Sequence, residues 1–70
     1  MNGERIEPIR FERLPAVLAR VGVKRSTLYR WISDKKFPAP IHIGENSVAW
    51  DSRTVDEWMR RRIAASRGAA

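Results

Sequence analysis

Apolar residues follow no period over the first ten positions and then recur in short, interrupted sets. Met1 to Arg10 mixes charged and small residues, so residues 1–10 read as a flexible arm, with order beginning near Phe11. Val17, Leu18 and Val21 stand at i, i+1 and i+4, one stripe of a short helix. Pro15 suits the first position of that helix, where its missing N–H costs nothing. Gly22 suits the end, because glycine takes the left-handed conformation of a helix C-terminus without steric penalty. After the turn Gly22-Val23-Lys24, Leu28, Trp31 and Ile32 at i, i+3 and i+4 predict a second helix over 25–34. Either Lys24 or Ser26 can stand at its N-cap, and the serine is the stronger capping residue. Phe37-Pro38-Ala39-Pro40 ends the helix by about Lys36, since each proline disfavours the helical region for the residue before it.

The period then changes. Ile41-His42-Ile43 and Val48-Ala49-Trp50 are short β-type runs separated by the turn chemistry of Gly44-Glu45-Asn46-Ser47, which predicts a hairpin. Alternation places Ile41, Ile43, Val48 and Trp50 inward and His42 outward. A lone hairpin is marginal in water, so this one must lean on the helices. A third helix, capped by Asp51 or Ser52, buries Val55, Trp58, Met59 and Ile63. Its acids come early and its arginines late, as the helix dipole favours. Ser66 to Ala70 carries no signal for order and reads as a disordered tail. The result is one small α+β domain over 11–65 with the outline of a winged helix-turn-helix: three helices, with a β-hairpin wing between helices two and three.

Composition narrows the possibilities. Seventy residues make one domain at most, and the chain has no cysteine and no metal-ligand cluster to substitute for a hydrophobic core. Trp31, Trp50 and Trp58 each fall in an apolar stripe, which makes them core rather than stacking platforms for single strands. One histidine, no cysteine and no glycine-rich phosphate loop leave nothing to build an active site from. Asp51, Asp56 and Glu57 are accounted for by helix electrostatics. No enzyme activity, cofactor, metal or small-molecule ligand is expected. The first ten residues lack the apolar run of a signal peptide, and no stretch approaches the ~20 apolar residues of a membrane helix. The chain therefore reads as a soluble, cytoplasmic protein with no membrane partner.

Charge points to a partner. Fourteen Lys and Arg against eight Asp and Glu leave a net +6, and a pI near 11.1 lies in the range of nucleic-acid-binding domains. Residues 21–40 hold +4 of it, through Lys24, Arg25, Arg30, Lys35 and Lys36 against Asp34 alone. On a helical projection Ser26, Arg30 and Ser33 lie opposite the buried stripe of helix two, with Tyr29 and Thr27 on its flanks. Arg25 and Arg30 can donate paired bonds to guanine O6 and N7, and Ser26 and Thr27 can bond base edges or phosphate. Tyr29, Lys24, Lys35 and Lys36 suit backbone phosphates. Asn46 and Ser47 at the hairpin tip offer further donors, whereas Glu45 has the wrong charge. Arg60-Arg61-Arg62 has two readings, a phosphate-binding patch or simply the solvated end of helix three, with the balance slightly toward the second.

Two strings give the chain a family likeness. Arg13-Leu14-Pro15, Val17-Leu18, Gly22-Val23 and RSTLYRWI over 25–32 come first. Phe37-Pro38-Ala39-Pro40-Ile41, Gly44, Val48-Ala49-Trp50 and Val55-Asp56-Glu57-Trp58 follow. Together they resemble the AlpA-type phage and prophage transcriptional regulators over about residues 11–65. The most specific part is the order RSTLYR, FPxP, then VxW followed by VDEW. The resemblance implies a winged helix-turn-helix related to the excisionase and MerR-type domains. It also implies work on double-stranded DNA as a transcriptional regulator or recombination directionality factor. Small single domains of this size often bind tandem or inverted sites as several copies, but no dimerisation helix is evident and the oligomeric state stays open. By position it places the recognition helix on 25–34 and the wing on 41–50. Lys24 departs from the serine common there in the family. The competing reading is a protein-interaction adaptor, antitoxin-like or a phage inhibitor, whose basic face meets an acidic partner. A third, RNA binding, requires exposed aromatic stacking.

Overall fold

The computed structural model describes residues 8–68. Its elements run β1 (Phe11–Glu12), α1 (Leu14–Val21), α2 (Arg25–Ser33), β2 (Ile41–Gly44), β3 (Ser47–Asp51) and α3 (Ser52–Gly68). The class is the expected small α+β, with three helices and an antiparallel hairpin between the second and third. Most of the arm over 1–10 lies outside the described residues, as do Ala69 and Ala70. Ser66 to Gly68 differ from expectation, since they continue α3. Ala64 and Ala65, the best of helix formers, carry the helix past the domain body.

Helix α1 starts one residue earlier than Pro15, with Arg13 at the cap position and no side-chain cap bond. Gly22 closes it at φ 77°, its N–H donating to the Leu18 carbonyl at 2.7 Å. Helix α2 begins at Arg25 after an extended Lys24, which makes no side-chain cap bond. Ser26 is therefore inside the helix and not its cap. At the other end Lys35 takes φ 60°. Its N–H donates to the Ile32 carbonyl at 3.0 Å, and that of Lys36 to Trp31 at 2.7 Å. These are the paired bonds of a Schellman motif, here with lysine where glycine is usual.

The sheet has the order β1-β3-β2, so the hairpin is joined by a further strand that no periodicity announces. Phe11 pairs with Asp51 and Glu12 with Trp50. The bridge extends through Arg10, whose N–H donates to Ser52 Oγ at 3.0 Å and whose carbonyl accepts the Ser52 N–H at 2.9 Å. Ser52 is thereby occupied, and Asp51 caps α3, its Oδ1 accepting the Arg53 N–H at 2.8 Å.

The hairpin faces differ from the predicted alternation. Gly44 pairs with Ser47 across a two-residue turn, a register that would continue to Ile43 opposite Val48 and Ile41 opposite Trp50. An irregularity between His42 and Gly44 shifts it, so that His42 faces Val48 and Ile41 faces Ala49. A one-residue slip moves every side chain to the other face. Ile41 and Ile43 consequently stay 44% and 37% exposed while Ala49 is buried. His42 is exposed as expected, but it shares its face with Val48 and Trp50. The turn residues Glu45 and Asn46 lack the positive φ that a primed hairpin turn needs, and a bulge beside the turn adds local twist.

Val17, Leu28, Phe37, Trp50 and Val55 form the buried cluster. Phe37, part of the segment read only as a helix stop, is 4% exposed. Trp31, Trp58 and Met59 are half-buried against this cluster. Ile63, expected to be buried, is 50% exposed. The indole N–H of Trp50 donates to the Pro38 carbonyl at 2.9 Å and that of Trp58 to Lys36 at 2.7 Å. These two bonds fix the connection between α2 and β2.

Candidate nucleic-acid interface

The core stripe of α2 dictates what its other side presents. With Leu28 buried and Trp31 and Ile32 half-buried, Arg25, Ser26, Tyr29, Arg30 and Ser33 are exposed, and Thr27 is half-buried. Lys24 stands exposed before the helix, and Lys35 and Lys36 stand exposed after it. Seven of the ten residues singled out from the sequence thus frame one helix, with Thr27 on its flank. Asn46 and Ser47 lie on the hairpin turn and the strand after it. The hairpin joins this helix through the Phe37–Pro40 connection.

The decisive electrostatic fact concerns where the acids go. Glu12 accepts from Arg20 Nη1 through both oxygens, each at 2.8 Å, and from Arg10 at 3.3 Å. Asp56 takes the second nitrogen of Arg20. Asp51 binds Arg53 at 2.9 Å, and Glu57 binds Arg61 at 3.2 Å. Among the described residues no carboxylate pairs with Lys24, Arg25, Arg30, Lys35 or Lys36. These four acids neutralise Arg10, Arg20, Arg53 and Arg61 and leave the α2 face positive. The charge states agree with these pairings. The Arg53 side chain and backbone hold Asp51 below the usual carboxylate range, and the bond to Asp56 raises Arg20 further above its already high value.

Lys35 adds a backbone argument. A residue with a Cβ in the left-handed region costs about 1–2 kcal/mol more than glycine would. Lys35→Gly is expected to stabilise the domain by about 1 kcal/mol, read as a raised thermal midpoint. A lower midpoint would mean that the side chain itself anchors the cap.

Sequence reasoning took Arg62 together with Arg60 and Arg61 and did not find its contact with the tryptophans. Its guanidinium lies over the Trp31 ring at 5.7 Å and the Trp58 ring at 5.2 Å from the centroids. Half of that contact was available from the i, i+4 spacing of Trp58 and Arg62. No group of His, Cys, Asp or Glu among the described residues is placed to hold a metal. No helix among them is long and apolar enough to cross a membrane.

Three helices, an antiparallel hairpin between the last two and an unneutralised basic face on the middle one define a small α+β domain of winged-helix outline. The chain belongs to the AlpA family, residues 10–63 matching the family described as prophage CP4-57 regulatory protein (AlpA). It is 37% identical over 60 residues to the DNA-binding transcriptional activator AlpA of Escherichia coli strain K12, covering 77% of this chain and 86% of that one. It is also 42% identical over 55 residues to the uncharacterized protein ORF88 of Enterobacteria phage P4, covering 79% of this chain but 62% of the phage protein. No solved structure matches.

Proposed function

We propose that this protein binds double-stranded DNA sequence-specifically and regulates transcription for a phage or mobile element, or directs its excision. The observation that carries the proposal is the segregation of charge: every described ion pair lies away from α2, whose exposed face keeps its full positive charge. The Escherichia coli relative, a DNA-binding transcriptional activator by name, supports the same reading. Helix α2 enters the major groove as recognition helix. Arg25 and Arg30 read guanine edges, and Ser26 and Thr27 bond bases or phosphate. Tyr29, Lys24, Lys35 and Lys36 hold the backbone. Lys24 supplies charge where a capping serine would supply a hydroxyl. The first-turn N–H groups of α2, left without a side-chain cap, favour a phosphate at the helix start. The hairpin acts as the wing, with Asn46 and Ser47 toward the backbone or minor groove, in the manner of MerR-type and excisionase domains. No catalysis is part of this role. Several copies occupy tandem or inverted sites in the cytoplasm, associated with the nucleoid.

Selection of bound duplexes from random DNA tests the reading. A defined motif should emerge, with affinity falling steeply as salt rises. Arg30→Ala should weaken binding to that motif by about 1–3 kcal/mol and relax preference at one base position. Lys35→Gly should weaken binding while stabilising the fold. An adaptor for an acidic protein would return no motif. An undiminished preference in the Arg30→Ala variant would remove α2 from the groove.

A further inference from the structure

We infer that Arg62 forms a second phosphate-binding point, on α3, held at the margin of the α2 face by two tryptophans. The inference rests on the DNA-binding reading above and extends it to a residue of the third helix. Arg62 is exposed and, among the described residues, has no carboxylate partner. Its neighbour Arg61 is tied to Glu57. Two neighbours on one helix thus differ, Arg61 neutralised and Arg62 not.

Its position is set by the aromatic seam between α2 and α3. Trp31 and Trp58 lie 5.7 Å apart at 33°, and Phe37 meets Trp58 edge-on at 4.8 Å. Arg62 lies over both indoles. A cation–π contact at this distance ties up no carboxylate and leaves guanidinium N–H groups for an oxyanion. It also restricts a long side chain before any ligand arrives, which lowers the entropy lost on binding. Trp31 follows Arg30 directly and stands one helical turn after Thr27. A group lying over Trp31 is therefore delivered beside the Thr27 and Arg30 side of α2. A side chain whose only purpose was to cover the indoles could be aliphatic. The placed, unneutralised guanidinium points to the phosphate backbone flanking the major groove.

The test is affinity as a function of salt on the selected duplex, with thermal melts alongside. Arg62→Gln should make the slope of log affinity against log salt shallower by about 0.9, and should weaken binding to all sequences alike. Arg62→Lys, which keeps the charge, should restore the slope. Arg60→Gln removes the same charge from the side of α3 opposite Trp58 and should leave the slope as it is. Arg62→Gln with an unchanged slope overturns the inference, whether or not the melt falls, because a structural staple predicts that result. Equal slope changes at Arg60 and Arg62 overturn it too, since they report diffuse charge. If the parent protein shows no salt-dependent binding to any duplex, the DNA-binding reading itself fails, a result distinct from either of these.

Discussion

Trp50→Ala is expected to remove about half of the domain's stability at 25 °C. Trp50 is the largest of the fully buried side chains, at 1% exposure, and stands on β3, the strand that joins the two halves of the sheet. Truncating a buried tryptophan costs about 3–5 kcal/mol through lost transfer energy and the cavity left behind. A chain of this length commands only about 3.5–10 kcal/mol in all. The substitution also deletes the donor to the Pro38 carbonyl, which releases the connection between α2 and the hairpin. Trp50→Phe should be milder, since it fills most of the volume and forfeits the hydrogen bond. Urea titration followed by far-ultraviolet circular dichroism measures both. An alanine variant within about 1 kcal/mol of the parent would contradict the cavity cost and displace Trp50 from the centre of the core.

Arg20→Ala comes second, at about 3 kcal/mol, the low end of the range for breaking a buried ion pair by removing one partner. Glu12 is 6% exposed, and both its oxygens depend on Arg20, with Arg10 a weaker third donor at 3.3 Å. Removing Arg20 strands that carboxylate and frees Asp56. The low end applies because the Arg20 side chain is itself 27% exposed. Glu12→Gln in the Arg20→Ala background should recover part of the loss, because a neutral amide is cheaper to bury than an unpaired carboxylate. A double-mutant cycle measures the coupling. Strict additivity would mean that Glu12 and Arg20 do not act as a pair.

The helices were legible because their signals are local. Apolar residues recur at helical spacing, Gly22 ends α1, and Pro38 and Pro40 bar α2 from continuing. The hairpin was legible as an element but not in its faces, because a bulge at His42 to Gly44 turns Ile41 and Ile43 away from the side occupied by Trp50. Strand β1 was illegible. Two residues cannot display a period, and Phe11 and Glu12 become a strand only by pairing with Asp51 and Trp50. Phe37 was hidden by its neighbours, since a phenylalanine between a helix end and a proline reads as loop. The composition of the α2 face could be read from RSTLYR and the flanking lysines. Its lack of neutralising acids could not, for it depends on Glu12 and Asp56 meeting at Arg20, which only the assembled fold achieves. Arg62 was half visible, through its spacing from Trp58, while its contact with Trp31 crosses the whole hairpin.

The length of α2 has a consequence in terms of information. Nine residues rise about 13–14 Å, which spans about four base pairs at 3.4 Å each. A four-letter word drawn from four bases recurs by chance about once in 256 positions, against the ~10⁶ or more competing sites of a genome. On the proposed docking, one copy of this domain carries a syllable rather than an address. The address has to be spelled by the spacing of several copies and by the shape of the DNA between them, and a change in that spacing would rewrite it without altering a single contact of α2.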